Sequence, residues 1–72
     1  MQVRHYMTAA AAVTHPDEPV VAAARLMRQR SIGALPVCED DGTLAGMLTD
    51  RDIVVRCVSA GDDPQTATVR GI

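Results

Sequence analysis

The stretch VVAAARLMRQRSIGALPVCEDDGTLAGMLTDRDIVVR, residues 20–56, holds two helix-like and two strand-like segments in one run. At its start, Val20, Ala23, Ala24 and Met27 recur at the i, i+3, i+4, i+7 spacing that lines one helix face, while Arg25, Arg28 and Gln29 point away. Asp17 and Glu18 precede Pro19, which is tolerated in a first helical turn because its missing N–H would lack an intrahelical partner there. With Ser31 and Gly33 marking the end, the spacing predicts a helix over residues 19–30. ALPVCED and TLAGMLTD then flank DDG, two short apolar runs about a tight polar loop, which reads as an antiparallel hairpin. Proline removes a ladder donor, so Leu35 and Pro36 are expected at the beginning of their strand rather than its middle. DRDIVVRCVSAG, residues 50–61, predicts a second helix with Ile53, Val54, Cys57 and Val58 on its apolar side and Gly61 at a left-handed C-terminal cap. Its β-branched residues are weak helix formers, so packing rather than local preference must hold it.

Outward from this run, residues 3–14 predict a short helical turn leading into an extended piece. The order is then strand, helix, strand, strand, helix. That order predicts an α+β fold, a small three-stranded sheet with two helices on one face. Residues 13–61 form the expected core of a single unit spanning 1–72, with 1–12 an N-terminal segment and 62–72 the start of a linker. No element is left to cover the other face of the sheet, and a chain of 72 residues buries only roughly 60% of its unfolded surface. Both points argue for a partner, most simply a second copy.

Composition excludes several functions. One Tyr, no Phe and no Trp leave almost nothing to stack on bases. The seven basic residues, all Arg, are scattered over a chain of net charge −2, so a nucleic-acid polymer is not an expected partner. No apolar stretch approaches a membrane span, and no secretory leader is evident, which points to the cytoplasm. Cys38 and Cys57 sit in apolar settings without a CxxC or a Cys–His cluster, and read as reduced, buried thiols. His5 and His15 read as surface or loop residues, so no metal is expected. Nor is a nucleophilic triad or dyad evident, which argues against an enzyme.

The charged end of GMLTDRD, residues 46–52, has two readings. A strand ending at Thr49 and feeding a helix exposes unpartnered N–H groups that favour an anion such as phosphate. Equally, Thr-x-x-Asp approximates a capping box in which Thr49 and Asp52 satisfy each other's orphan N–H groups, although Asp is shorter than the usual Glu and reaches back less well. Asp50 adds negative charge beside any phosphate and favours a nucleoside or monophosphate.

The helix AARLMRQRSIGALPV, the hairpin EDDG and the G-x-x-T-x-x-D running from Gly46 through Thr49 to Asp52 together resemble a CBS motif, the β-α-β-β-α unit that usually occurs in tandem as a Bateman module. The resemblance covers nearly the whole chain and is greatest to small stand-alone paired-CBS proteins of actinobacteria, whose GC-rich genomes suit a chain without lysine. It implies a non-catalytic regulatory module, with no required cofactor, that senses an adenosine-containing ligand such as AMP, ADP, ATP or S-adenosylmethionine. In this family Thr49 and Arg51 would approach phosphates and Asp52 would accept from ribose hydroxyls, chemistry that suits a carboxylate and an arginine fork. Ala12, Val13, Ile32 and Gly33 would line the adenine slot, with Met47 beneath. The resemblance also implies a second CBS motif as partner, in cis or in trans, and a homodimer in the latter case. A ligand-free dimerisation or stress-response module is the alternative.

Overall fold

The computed structural model describes residues 12–72. Helix α1 spans Val20–Arg30, β1 Ala34–Cys38, β2 Leu44–Thr49 and α2 Asp50–Ile53, and α2 continues into a π-helical turn, Val54–Val58. A 3-10 turn, Val69–Gly71, follows.

Helix α1 buries Val20, Ala23 and Met27, the face predicted from spacing, with Ala24 packed beside them. It ends where Ser31 turns left-handed (φ 55) and donates to the carbonyls of α1's last turn. β1 and β2 pair antiparallel, Leu35 opposite Leu48 and Val37 opposite Gly46 on the face toward α1. Gly42 (φ +87) turns the hairpin, and Glu39 and Thr43 close it with a backbone bond of 2.8 Å.

The α+β class holds, with several departures from the expected details. The expected third strand is reduced, among the described residues, to a single parallel bridge between Thr14 and Val37. The helical turn expected earlier in the chain falls outside the described residues. Pro36 stands in the middle of β1, not at its start. Its carbonyl accepts from Thr14 N–H (2.9 Å), so its ring nitrogen also points away from β2 and costs the hairpin no ladder bond.

The second helix is not uniformly α. Ser59 donates to Val54 and Asp62 to Cys57, both i→i−5 bonds. Ile53 and Cys57 stay in the core, whereas Val54 and Val58, expected beside them, are 58% exposed. The place expected for them is taken from further along the chain. Residues 62–72, read as the start of a linker, fold back on the beginning of α1. Val20 N–H donates to Ala67, Val21 to Pro64, Val69 to Glu18 and Arg70 to Pro16, all between 2.8 and 2.9 Å. Val69 is 5% exposed and completes the core, with Ala67 and Ile72 packed against it.

Of the two thiols, Cys57 is buried as expected, but Cys38 is only half-buried because it lies on the outer face of β1, opposite Leu44. His15 sits in the loop after the Thr14 bridge and donates from Nδ1 to the Cys38 carbonyl (2.8 Å). No helix of the described residues is long and apolar enough to cross a membrane.

Candidate functional site

Thr49 is where β2 becomes α2. Its extended backbone (φ −111, ψ 160) leaves its side chain free to cap, and Thr49 Oγ1 accepts from Asp52 N–H at 3.0 Å. Asp52 Oδ2 in turn accepts from Thr49 N–H, also at 3.0 Å. The capping box is thus complete, and the expectation that Asp reaches back less well is corrected, because the extended Thr49 turns its N–H toward the first helical turn. The Thr49 N–H bond holds the Asp52 carboxyl below its ordinary pKa of 3.8, and the Arg56 and Arg51 charges assist.

A cavity of about 440 Å³ runs along the edge of β2 that faces away from β1 and is unpaired among the described residues, and four consecutive residues, Ala45–Leu48, form one wall. Asp52 and Arg56, one helical turn apart, form the second wall, and Val69, Arg70 and Ile72 form the third. Val37, Glu39 and Pro16 complete the lining. The last residues are held in place by the Arg70 N–H bond to Pro16 and by Arg56, whose guanidinium donates to the Ile72 carbonyl at 3.3 Å. Arg70 Nε also meets Asp17 Oδ1 at 3.4 Å, but both side chains are more than half exposed, so the pair is weak.

Of the residues expected to form a site, Met47 and Asp52 line this cavity. Thr49 stands immediately beside it as the cap partner of Asp52. The remaining five do not line it. Strand alternation puts Met47 and Thr49 on the outer face of the sheet with their partners Pro36 and Ala34. Val13, half-buried, precedes the Thr14 bridge, and Ile32 and Gly33 lie exposed ahead of β1. Ala12 packs against the core. Gly33 is covered from one side: a Cβ there would lie 3.2 Å from Asp50 Oδ2, and the Gly33 carbonyl accepts from Asp50 N–H. Arg51 is exposed, and its N–H is bound by Asp50 Oδ1 (2.8 Å).

Reasoning from sequence missed Arg56, Arg70, Glu39 and Val69. Arg56 was findable, since it follows Asp52 by one helical turn. Nothing local marks Arg70, because the fold-back of residues 62–72 is a tertiary event. Among the described residues no three His, Cys, Asp or Glu side chains gather closely enough to hold a metal ion.

The outer surface is strongly apolar. Leu44 is 62% exposed and Met47 56%, both on the outer face of the sheet, and Val54, Val55 and Val58 are more than half exposed on the second helix.

Residues 3–59 match the CBS domain family. The chain is 52% identical over 65 residues to hypoxic response protein 1 of Mycobacterium tuberculosis, covering 90% of this chain and 46% of that protein. It is 47% identical over 64 residues to the CBS domain-containing protein YhcV of Bacillus subtilis, covering 89% and 45%. The chain therefore spans about half the length of these relatives. Among solved structures it superposes on Hypoxic Response Protein I with two coordinated zinc ions (TM-score 0.80, 52% identity, 83% of this chain and 50% of that one). A cystathionine beta-synthase domain protein fused to a Zn-ribbon-like domain is similar at TM-score 0.79 and 31% identity, over 86% and 87% of the two chains. The family match extends over most of the sequence and coincides with the hairpin, the capped strand-to-helix junction and the helix before them: this chain belongs to the CBS domain family.

Proposed function

We propose that this chain is half of a non-catalytic regulatory module that binds an adenosine-containing ligand, such as AMP, ADP, ATP or S-adenosylmethionine, where it meets a second CBS motif. The observation that carries the reading is the cavity beside Asp52, which runs along a strand edge unpaired among the described residues and adjoins the exposed apolar face of Leu44 and Met47. A second motif seated on that face closes an open groove into a site. The capping bond uses Asp52 Oδ2, and the other carboxylate oxygen is the acceptor offered to ribose hydroxyls. Thr49 orients that carboxylate. Val13, Ile32, Gly33 and Met47 supply aliphatic surface for a flat base, with Ala12 behind them; Arg51, where the family resemblance implies a phosphate contact, lies outside the cavity lining. Ligand binding then shifts the packing of two motifs, and an output partner reads the shift.

A second reading, a ligand-free dimerisation or stress-response module, is favoured by one observation: the capping box employs both Thr49 and Asp52 without any ligand. Calorimetric titration of the protein with AMP, ADP, ATP and S-adenosylmethionine separates the two. Saturable binding that Asp52→Ala weakens supports sensing, and the absence of heat from every ligand leaves the assembly module.

A further inference from the structure

We infer that the anionic end of the ligand is held by Arg56 and Arg70, so that this chain recognises a phosphorylated nucleoside in preference to the bare nucleoside. The inference rests on the adenosine reading above and adds to it the charge that selects within that ligand class.

Two arginines line the same cavity as Asp52, one from each flanking wall. Arg56 projects from the π-helical turn four residues after Asp52, and its charge is felt at the Asp52 carboxyl ahead of that of Arg51. Arg70 comes from the C-terminal fold-back, beyond the stretch that matches the family. Its place is fixed by backbone bonds, Val69 to Glu18 and Arg70 to Pro16, rather than by its own side chain. Among the described residues each guanidinium has one weak intramolecular contact, Arg56 to the Ile72 carbonyl at 3.3 Å and Arg70 Nε to the exposed Asp17 at 3.4 Å. A guanidinium carries five donors in a planar fork, so both retain donors for phosphate oxygens. Arg51, by contrast, lies outside the cavity lining.

The other charges in the lining define the ligand further. Asp52 and Glu39 are acidic, so the groove as a whole is charge-balanced rather than basic. A polyphosphate finds two cations opposed by two carboxylates. A monophosphate whose sugar hydroxyls meet a carboxylate while its phosphate meets the arginines matches both signs.

The test is calorimetric titration of the full chain with adenosine and with AMP, for the wild type and for Arg56→Gln, Arg70→Gln, Arg51→Gln and the remote Arg28→Gln. Circular dichroism melts first establish that each variant is folded. The expected result is that wild type prefers AMP over adenosine, and that Arg56→Gln and Arg70→Gln each weaken AMP by about tenfold or more, the loss of a charge-assisted hydrogen bond, while adenosine and the Arg28→Gln control are unaffected. Equal wild-type affinity for AMP and adenosine overturns the inference while leaving the adenosine reading intact. So does a loss of AMP preference in Arg51→Gln with none in Arg56→Gln and Arg70→Gln. Absence of binding of both probes to the folded wild type overturns the adenosine reading and the inference with it.

Discussion

Thr49 and Asp52 cap the start of α2 for each other, and that role sets what their substitution should do to stability. The hydroxyl of Thr49 satisfies the Asp52 N–H, which would otherwise be an orphan of the first helical turn. Thr49→Ala removes that acceptor and should cost about 1 kcal/mol, lowering the thermal midpoint by about 4–8 °C whether or not ligand is present. Asp52 adds a pH dependence. Its carboxyl titrates below 3.8 in the folded chain, so the unfolded chain binds the proton more readily. Its contribution is therefore complete above that value and is lost as pH falls through the lower, folded pKa. Asp52→Asn, which keeps an oxygen acceptor without the charge, should flatten the acid limb of stability below about pH 4, measured by urea melts at stepped pH. Thr14 makes the opposite case. It is 1% exposed, and its hydroxyl has no hydrogen-bond partner among the described residues, while its backbone groups bond to β1. An unpaired buried hydroxyl is a cost, so Thr14→Val, of nearly the same shape, should leave stability unchanged or raise it by up to about 1 kcal/mol in a thermal melt.

Elements whose periodicity is local were legible in the sequence, and those settled by tertiary contacts were not. Helix α1 and the hairpin could be read because Val20, Ala23 and Met27 follow the 3.6 period and two short apolar runs flank the polar turn, whereas the register that sets Leu35 opposite Leu48 was not legible. Pro36 was misplaced because a strand proline is harmless when its nitrogen faces away from the ladder, and that direction is set by the Thr14 bridge, 22 residues away in sequence. The second helix was misread for a related reason. Apolar pattern alone put Val54 and Val58 beside Ile53 and Cys57, yet Val69, returning from beyond the hairpin and both helices, fills the core instead. The site was half legible: a motif names Thr49 and Asp52, but no motif announces a wall built by residues 69–72. The turn that launches this fold-back depends on Gly61, at φ +82. No atom lies within 4 Å of a Cβ there, so Gly61→Ala carries only the conformational cost of a left-handed residue, about 1–2 kcal/mol, and no clash. Its expected signature is a lower thermal midpoint with no change in the unfolding m-value.

At the scale of the whole molecule the fold leaves a sheet whose two faces are treated unequally. The inner face is closed by α1, Ile53, Cys57 and Val69. The outer face presents Ala34, Pro36, Cys38, Leu44 and Met47, with Leu44 and Met47 more than half exposed. An antiparallel sheet tolerates water on one face when that face is polar, and this one is not. Pairing of two copies through the outer face would bury these side chains and, in the same step, wall the groove along β2. A charge placed there tests the pairing without disturbing the core. Leu44 is 62% exposed in the single chain, so Leu44→Lys should alter its folding little, but in a pair the ammonium would be desolvated against apolar surface. Light scattering at tens of micromolar should give the wild type twice the 7.6 kDa of one chain and Leu44→Lys the mass of one. Val58→Lys, on the helical surface away from the sheet, should leave the mass doubled. If the wild type runs as a single chain at that concentration, the outer face is not closed by a second copy. If Val58→Lys rather than Leu44→Lys halves the mass, the copies meet through their helices and the groove along β2 stays open. Because pairing links stability to concentration, the wild-type thermal midpoint should also rise with protein concentration, whereas that of Leu44→Lys should not.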